Sequence, residues 1–292
     1  MNTLARNVQA AVAGAIVAIL SMADAKPARA QSEPADLSAF NFASSSIKPD
    51  PHTGIGYIPR MWFTADGYSA GNATLRALIK VLNRAGIDYA VLGGVETDTG
   101  DTARRLGDEA TFQQLATKLI GTLSQYTFRK IVTADPHVLH SLRNEYRALG
   151  GFYEVQHHTA LIEELVSSGK LAPKAVAAFA DRKITYHDPC YLGRYNGETE
   201  APRRLLKTIG IKVVEMERNG MRGRCCGGGG GAPLTDIPGK KRIPDIRIDD
   251  ARTIGAEIVA VGCPNCTAML EGVVGPRPEV LDVAELIAAA LE

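Results

Sequence analysis

From residue 57 onward the hydrophobic and polar positions switch between two periods. Short apolar runs of strand length alternate with stretches whose apolar residues recur every three or four positions, the spacing of an amphipathic helix. Residues 58–63, 87–92, 130–133 and 153–156 read as strands, and 73–84, 110–126, 137–149 and 161–167 as helices. The order then repeats: strands at 184–187, 212–216, 257–261 and 280–283, helices at 202–209, 248–253, 267–273 and 284–291. Strands separated by helices of this length predict parallel sheets with helices on their faces.

Local matches between the halves turn this order into a repeat. IVTADPHVLHSLRNEY aligns with IVAVGCPNCTAMLEGV, and VQHHTALIEELV with VLDVAELIAAAL. The expected architecture is therefore α/β: two homologous Rossmann-like halves with parallel sheets, residues 57–180 and 181–292, related by a pseudo-two-fold axis.

The N-terminus follows another rule. Arg6, an apolar stretch over residues 8–23 and Ala28-Arg29-Ala30 before Gln31 resemble a secretory signal peptide, or a short membrane tether, over residues 1–30. Residues 31–56, rich in Ser, Pro and Ala, read as a linker. Over 292 residues, 33 basic and 32 acidic side chains leave a formal net charge of +1, which gives no pull toward nucleic acid. Aromatic residues are 6% of the chain, too few for a base-stacking platform, so nucleic acid is not an expected partner.

Cysteine placement carries the chemistry. The five cysteines are Cys190, Cys225, Cys226, Cys263 and Cys266, and the first 189 residues hold none. An odd number gathered in one third of an α/β chain points to a metal or cluster site rather than a disulfide framework. Each group falls at an expected strand end, where open α/β sheets build their sites. So many soft thiolates suit an iron–sulfur cluster or zinc, not Mg²⁺ or Ca²⁺. Gly227 to Gly231 follow the pair directly, and backbone without Cβ atoms can approach a cluster and aim N–H groups at it.

The stretches HDPCYLGRYNG, CCGGGGG and CPNC, at these spacings, resemble the CCG (cysteine-rich) domain of heterodisulfide reductase and of related iron–sulfur oxidoreductase subunits. The resemblance implies a [4Fe–4S] cluster on Cys190, Cys225, Cys226, Cys263 and Cys266, in some members a noncubane one using all five thiolates. It also places Gly227, Gly228 and Pro264 against the cluster. The implied role is electron transfer within a heterodisulfide-reductase-like or 2-hydroxy-acid oxidoreductase complex, with ferredoxin-like or flavoprotein subunits as partners. A zinc-stabilised, non-redox binding or scaffold module is the alternative. Cluster thiols need a reducing compartment, so association with a membrane on its cytoplasmic or other reducing side is expected, with export or organellar targeting as the alternative.

The first half departs from the family pattern. The repeat sets Ala65 opposite Cys190, Asp98 and Thr99 opposite Cys225 and Cys226, and Asp135 and Val138 opposite Cys263 and Cys266. Those side chains offer no thiolate, so this half is expected to bind no cluster. Elsewhere, His157-His158 reads as structural, with one ring exposed and one buried. His187 and Asp188 read equally as tuning groups for the site or as parts of a turn. Glu96 and Asp101 read as a solvated acidic edge.

Overall fold

Ile131 and Val132, and the run Ile258-Val259-Ala260-Val261, are apolar without alternation, the mark of strands covered on both faces. They form the strands β3 (Lys130–Thr133) and β6 (Ile258–Val261), and all six side chains are at most 1% exposed. The computed structural model describes the backbone of residues 17–19 and residues 70–92, 95–232 and 239–291. The expected linker at 31–56, the strand at 58–63 and Ala65 lie outside the described residues.

Two sheets organise the chain. The first has the order β2 (Tyr89–Ala90), β1 (Val17–Ile19), β3 and β4 (Val155–His157). β3 and β4 run parallel, with Ile131 opposite Val155. β1, from the apolar stretch of the signal-like segment, pairs antiparallel with both neighbours, so this sheet is mixed rather than wholly parallel. The second sheet is parallel throughout: β5 (Ile184–Tyr186), β6 and β7 (Glu279–Asp282).

Helices cover both sheets: α1 (Ala70–Arg84), α2 (Asp101–Arg105), α3 (Glu109–Leu123), α4 (Pro136–His140), α5 (His158–Ser167) and α6 (Ala177–Ala180). They continue with α7 (Cys190–Asn196), α8 (Glu200–Thr208), α9 (Ile243–Thr253), α10 (Pro264–Glu271) and α11 (Val283–Ala289). The helix expected at 137–149 changes winding, from α4 through a π turn (Ser141–Glu145) to a 3₁₀ turn (Tyr146–Leu149) that ends at Gly150. The strand expected at 212–216 does not form, although the Val214 N–H donates to the Ile184 carbonyl at 2.9 Å.

Burial joins the two sheets into one structure. Leu78, Val81 and Leu82 of α1 share a core with Leu286 and Ile287 of α11 and with Leu205 and Leu206 of α8. A second core lies under α3 and β3, around Phe112, Leu119, Ile131 and Tyr146. A third packs Met216, Ile248, Val259 and Leu270 directly against Cys226, Cys263 and Cys266. The fold is thus mixed α/β with short parallel sheets, and its third core forms the floor beneath the cysteines.

Candidate metal centre

Two corners of the second sheet and one loop beside it deliver the sulfurs. Cys190 is the first residue of α7, three residues after His187 leaves β5. Cys263 is the N-cap of α10 where the chain leaves β6, and Cys266 lies one turn further on. Cys225 and Cys226 follow a 3₁₀ turn at Gly220–Arg222 rather than a strand end, which corrects the expectation for that pair. Pro264, buried at the first turn of α10, presets the helical φ just after Cys263.

Asp188 positions the Cys225-Cys226 loop. Its buried carboxylate accepts two bonds from Arg203, at 2.7 and 2.9 Å, and one from the Gly220 N–H at 2.7 Å. The same guanidinium reaches Glu215 and lies 5.1 Å over the Tyr186 ring. Of the two roles open to Asp188, the geometry is that of a turn clamp.

The thiols form a chain of contacts: Cys190 with Cys225, Cys225 with Cys226, Cys226 with Cys266, and Cys266 with Cys263. None is in a disulfide; Cys226, Cys263 and Cys266 are buried, and Cys190 and Cys225 half-buried. Protons are shared unequally along this chain. Hydrogen bonds from Cys190 and Cys226, with help from the Gly227 N–H, hold the Cys225 thiol well below its ordinary range. The bond to Cys225, reinforced by burial, pushes Cys190 up, and bonds to Cys226 and Cys263 do the same to Cys266. Adjacent thiolates repel, so ionising all five requires a cation among them.

The glycines fit the same purpose. The N–H of Gly227 donates to Cys225 Sγ at 3.3 Å, and that of Gly228 to Cys226 Sγ at 3.4 Å. Gly227 has φ +86°, and a Cβ on Gly228 would stand 3.0 Å from Met269 Cγ and 3.4 Å from Cys226 Sγ. Larger residues would strain the first position and crowd sulfur at the second.

Three arginines fix the segments that carry the site. The Arg194 guanidinium donates to the Gly223 carbonyl at 2.5 Å, and Arg224 to Asp250 at 2.8 Å. Arg247, 1% exposed, donates from Nε to His187 Nδ1 at 3.0 Å and from Nη1 to the Arg218 carbonyl at 2.9 Å. Burial, and then the charge of Arg247, push His187 down to about 3, so its ring is neutral. Motif spacing alone does not single out Arg247. Its signal is a basic residue on the buried stripe Pro244, Arg247, Ile248 and Ala251 of α9.

The wall facing Cys263 comes from the first half. Asp101, expected in solvent, is 7% exposed: it accepts from Arg105 Nε at 3.1 Å and pairs with His137 Nδ1 at 2.9 Å. His137 stacks on Tyr191, ring centroids 3.8 Å apart, and the Tyr191 hydroxyl donates to Asp101 at 3.4 Å. Burial opposes a charge on His137, but Asp101 and Asp135 outweigh it and push the ring up to about 9. One ligand-type atom each of Asp135, His137 and Cys263 lies within 4.8 Å of the other two.

The positions that the repeat sets opposite the cysteines have hydrogen-bonding and packing tasks. Asp135 caps α4 by accepting the His137 N–H at 2.8 Å, Val138 packs in the second core, and the Thr99 carbonyl accepts from the Tyr146 hydroxyl at 2.9 Å. Asp98 accepts the Gly100 N–H at 2.6 Å, and burial pushes its carboxyl up to about 6. Both His157 and His158 are fully buried, which overturns the expectation that one is exposed. His157 ends β4 facing Thr159 Oγ1 at 2.7 Å, whereas His158 opens α5, so strand alternation no longer applies between them. Both remain structural.

Similarity to known proteins follows this geometry. Residues 184–271 match the family model of the cysteine-rich domain, CCG. The chain is 59% identical over 228 residues, 75% of its length, to the "Probable membrane-anchored ferredoxin" of Chromohalobacter salexigens. It is 42% identical over 73% of its length to the "Probable iron-sulfur-binding oxidoreductase FadF" of Bacillus subtilis, and 40% identical over 74% to the "EtfAB:quinone oxidoreductase" of Syntrophomonas wolfei. The matches cover 34%, 30% and 32% of those relatives, so the chain corresponds to about a third of each. A dihydromethanophenazine:CoB–CoM heterodisulfide reductase chain of Methanosarcina barkeri is 32% identical, over 74% of this chain and 54% of its own length. The chain carries a cysteine-rich CCG domain at residues 184–271 and is a relative of iron–sulfur oxidoreductases and heterodisulfide reductases.

Proposed function

We propose that Cys190, Cys225, Cys226, Cys263 and Cys266 hold one [4Fe–4S] cluster and that the chain serves as the electron-transfer part of a larger oxidoreductase. The observation that carries this is the contact chain of five unbridged thiols, with two glycine N–H groups already donating to two of them. Four thiolates suffice for a cubane, so Cys266 is the ligand that distinguishes a five-thiolate noncubane cluster. When bound, such a cluster supplies one-electron transfer. The protein's part is to hold the thiolates, set the charge of His137 beside Cys263, and bury the site from water. The lack of thiolates at Asp98, Thr99, Asp135 and Val138 supports a single cluster per chain. The recurring strand–proline–helix corner supports reading residues 57–180 and 181–292 as two copies of one α/β unit.

The names "Probable membrane-anchored ferredoxin" and "EtfAB:quinone oxidoreductase" support redox partners and a place at a membrane, and the free thiols that the site needs favour its reducing side. No helix among the described residues is long and apolar enough to cross a membrane. Purification without oxygen, with iron, sulfide and zinc analysis, tests the proposal. About four irons and matching sulfide per chain, lost on Cys→Ser replacement at 190, 225, 226 or 263, are expected. Zinc without sulfide would establish the non-redox alternative.

A further inference from the structure

His187, Cys226 and Cys266 each offer one ligand-type atom within 4.8 Å of the other two, all three residues are buried, and the trio has the composition of a metal site. The partner on the far side of the imidazole decides what the histidine can do. Arg247 Nε–H donates to His187 Nδ1 at 3.0 Å. A guanidinium has N–H donors and no acceptor, so Nδ1 contributes its lone pair and the ring proton sits on Nε2. A histidine bound to a metal through Nε2 would carry its proton on Nδ1, facing a group that cannot accept it. The ring cannot turn to escape, because it is fully buried and Arg247 is itself fixed by the Arg218 carbonyl and Asp250. His187 Nε2 has no hydrogen-bond partner, although it is buried and Nε2 is the nitrogen left to turn toward sulfur.

We infer that His187 is not a ligand of the centre but a positioning residue, held by Arg247 as a fixed N–H donor toward the Cys226–Cys266 sulfurs or a sulfide held by them. This rests on the cluster reading and goes beyond it by assigning the histidine that shares a pocket with two of the sulfurs. A buried donor stabilises the more negative, reduced state of an iron–sulfur centre. His187 and Arg247 behind it therefore raise the reduction potential without changing the iron content.

The test uses the full chain, purified without oxygen, with His187→Leu and His187→Gln beside the parent. Iron and sulfide content, urea stability and the midpoint potential from a spectroscopic redox titration are measured. His187→Leu should keep the iron and lower the potential, shifting the reduced-to-oxidised ratio about tenfold, or about 59 mV for one electron. His187→Gln, which keeps an N–H donor, should recover part of that shift. Iron lost from His187→Leu at unchanged stability would make His187 a ligand and overturn the inference. An unchanged potential would reduce His187 to packing and overturn it too. A measurement on the parent chain does not depend on any variant folding: hyperfine spectroscopy of the reduced centre should show an exchangeable proton and only weak nitrogen coupling. Strong coupling to a directly bound nitrogen overturns the inference while leaving the cluster reading intact. A parent chain holding zinc and no sulfide would overturn both.

Discussion

His158 and Asp282 meet at 2.8 Å between the two sheets, both side chains fully buried. His158 opens α5 behind β4, and Asp282 ends β7 and caps α11, so one contact ties the two sheets together. Asp282 Oδ1 also accepts the Ala284 N–H at 2.8 Å. Removing either partner strands a buried polar group, at a cost of about 1–3 kcal/mol. His158→Ala and Asp282→Ala should each destabilise strongly in urea unfolding, and the double variant should lose less than their sum. Strict additivity would show that the two do not interact.

Glu285 gives the chain a pH dependence away from the cysteines. Burial, followed by the charge of Asp282, pushes its carboxyl up to about 7 from the ordinary 4.5. The folded state therefore keeps a proton that the unfolded chain releases near 4.5. Stability falls as pH rises between those values and stays low above them. Glu285→Gln retains a carbonyl to accept the Asp282 N–H and removes the titration. The variant should gain about 1–3 kcal/mol on the parent between pH 5 and pH 8 in urea unfolding. An equal difference at both pH values would show that Glu285 ionises normally.

The Asp188–Arg203 clamp should be intolerant of lysine. Lysine cannot reproduce the two-pronged bond to Asp188 while also reaching Glu215. Arg203→Lys should cost about 1.5–3 kcal/mol. It should also loosen the loop from Gly220 to Cys226, seen as faster amide exchange there than in β6. Uniform exchange across both segments would mean that the clamp does not hold the loop.

The second half should not survive alone. Leu205, Leu206, Leu286 and Ile287 share their core with Leu78, Val81 and Leu82 from the first. A fragment of residues 181–292 would open that face to water and should aggregate on expression. A soluble, monomeric fragment with full iron would show that the first half is dispensable for the centre.

Sequence patterning located most elements because β-branched runs and helical spacing are local signals. Lys130–Thr133 matches the expected strand residue for residue. What escaped was set by tertiary partners. Asp101 has the composition of a surface acid, and only His137 and Arg105 explain its burial. Residues 212–216 are apolar enough for a strand but lie in the loop that Asp188 and Arg203 shape. The five cysteines were legible because thiols in such spacings have few other uses. Arg247 was not, because its partner His187 lies 60 residues away.

Two corners show what placing a thiol costs a helix. Asp135 and Cys263 each precede a proline and serve as the N-cap of the helix that follows a strand, α4 after β3 and α10 after β6. The carboxylate satisfies a backbone N–H of α4, whereas no side chain caps α10. The first amides of α10 are left with their partial positive charge beside Cys263. One corner anchors its own helix, and the other leaves that helix end open for the sulfur chemistry. Local stability and ligand binding thus compete for the same backbone position. A cysteine placed at 135 would gain a thiolate at the expense of the cap that Asp135 gives α4.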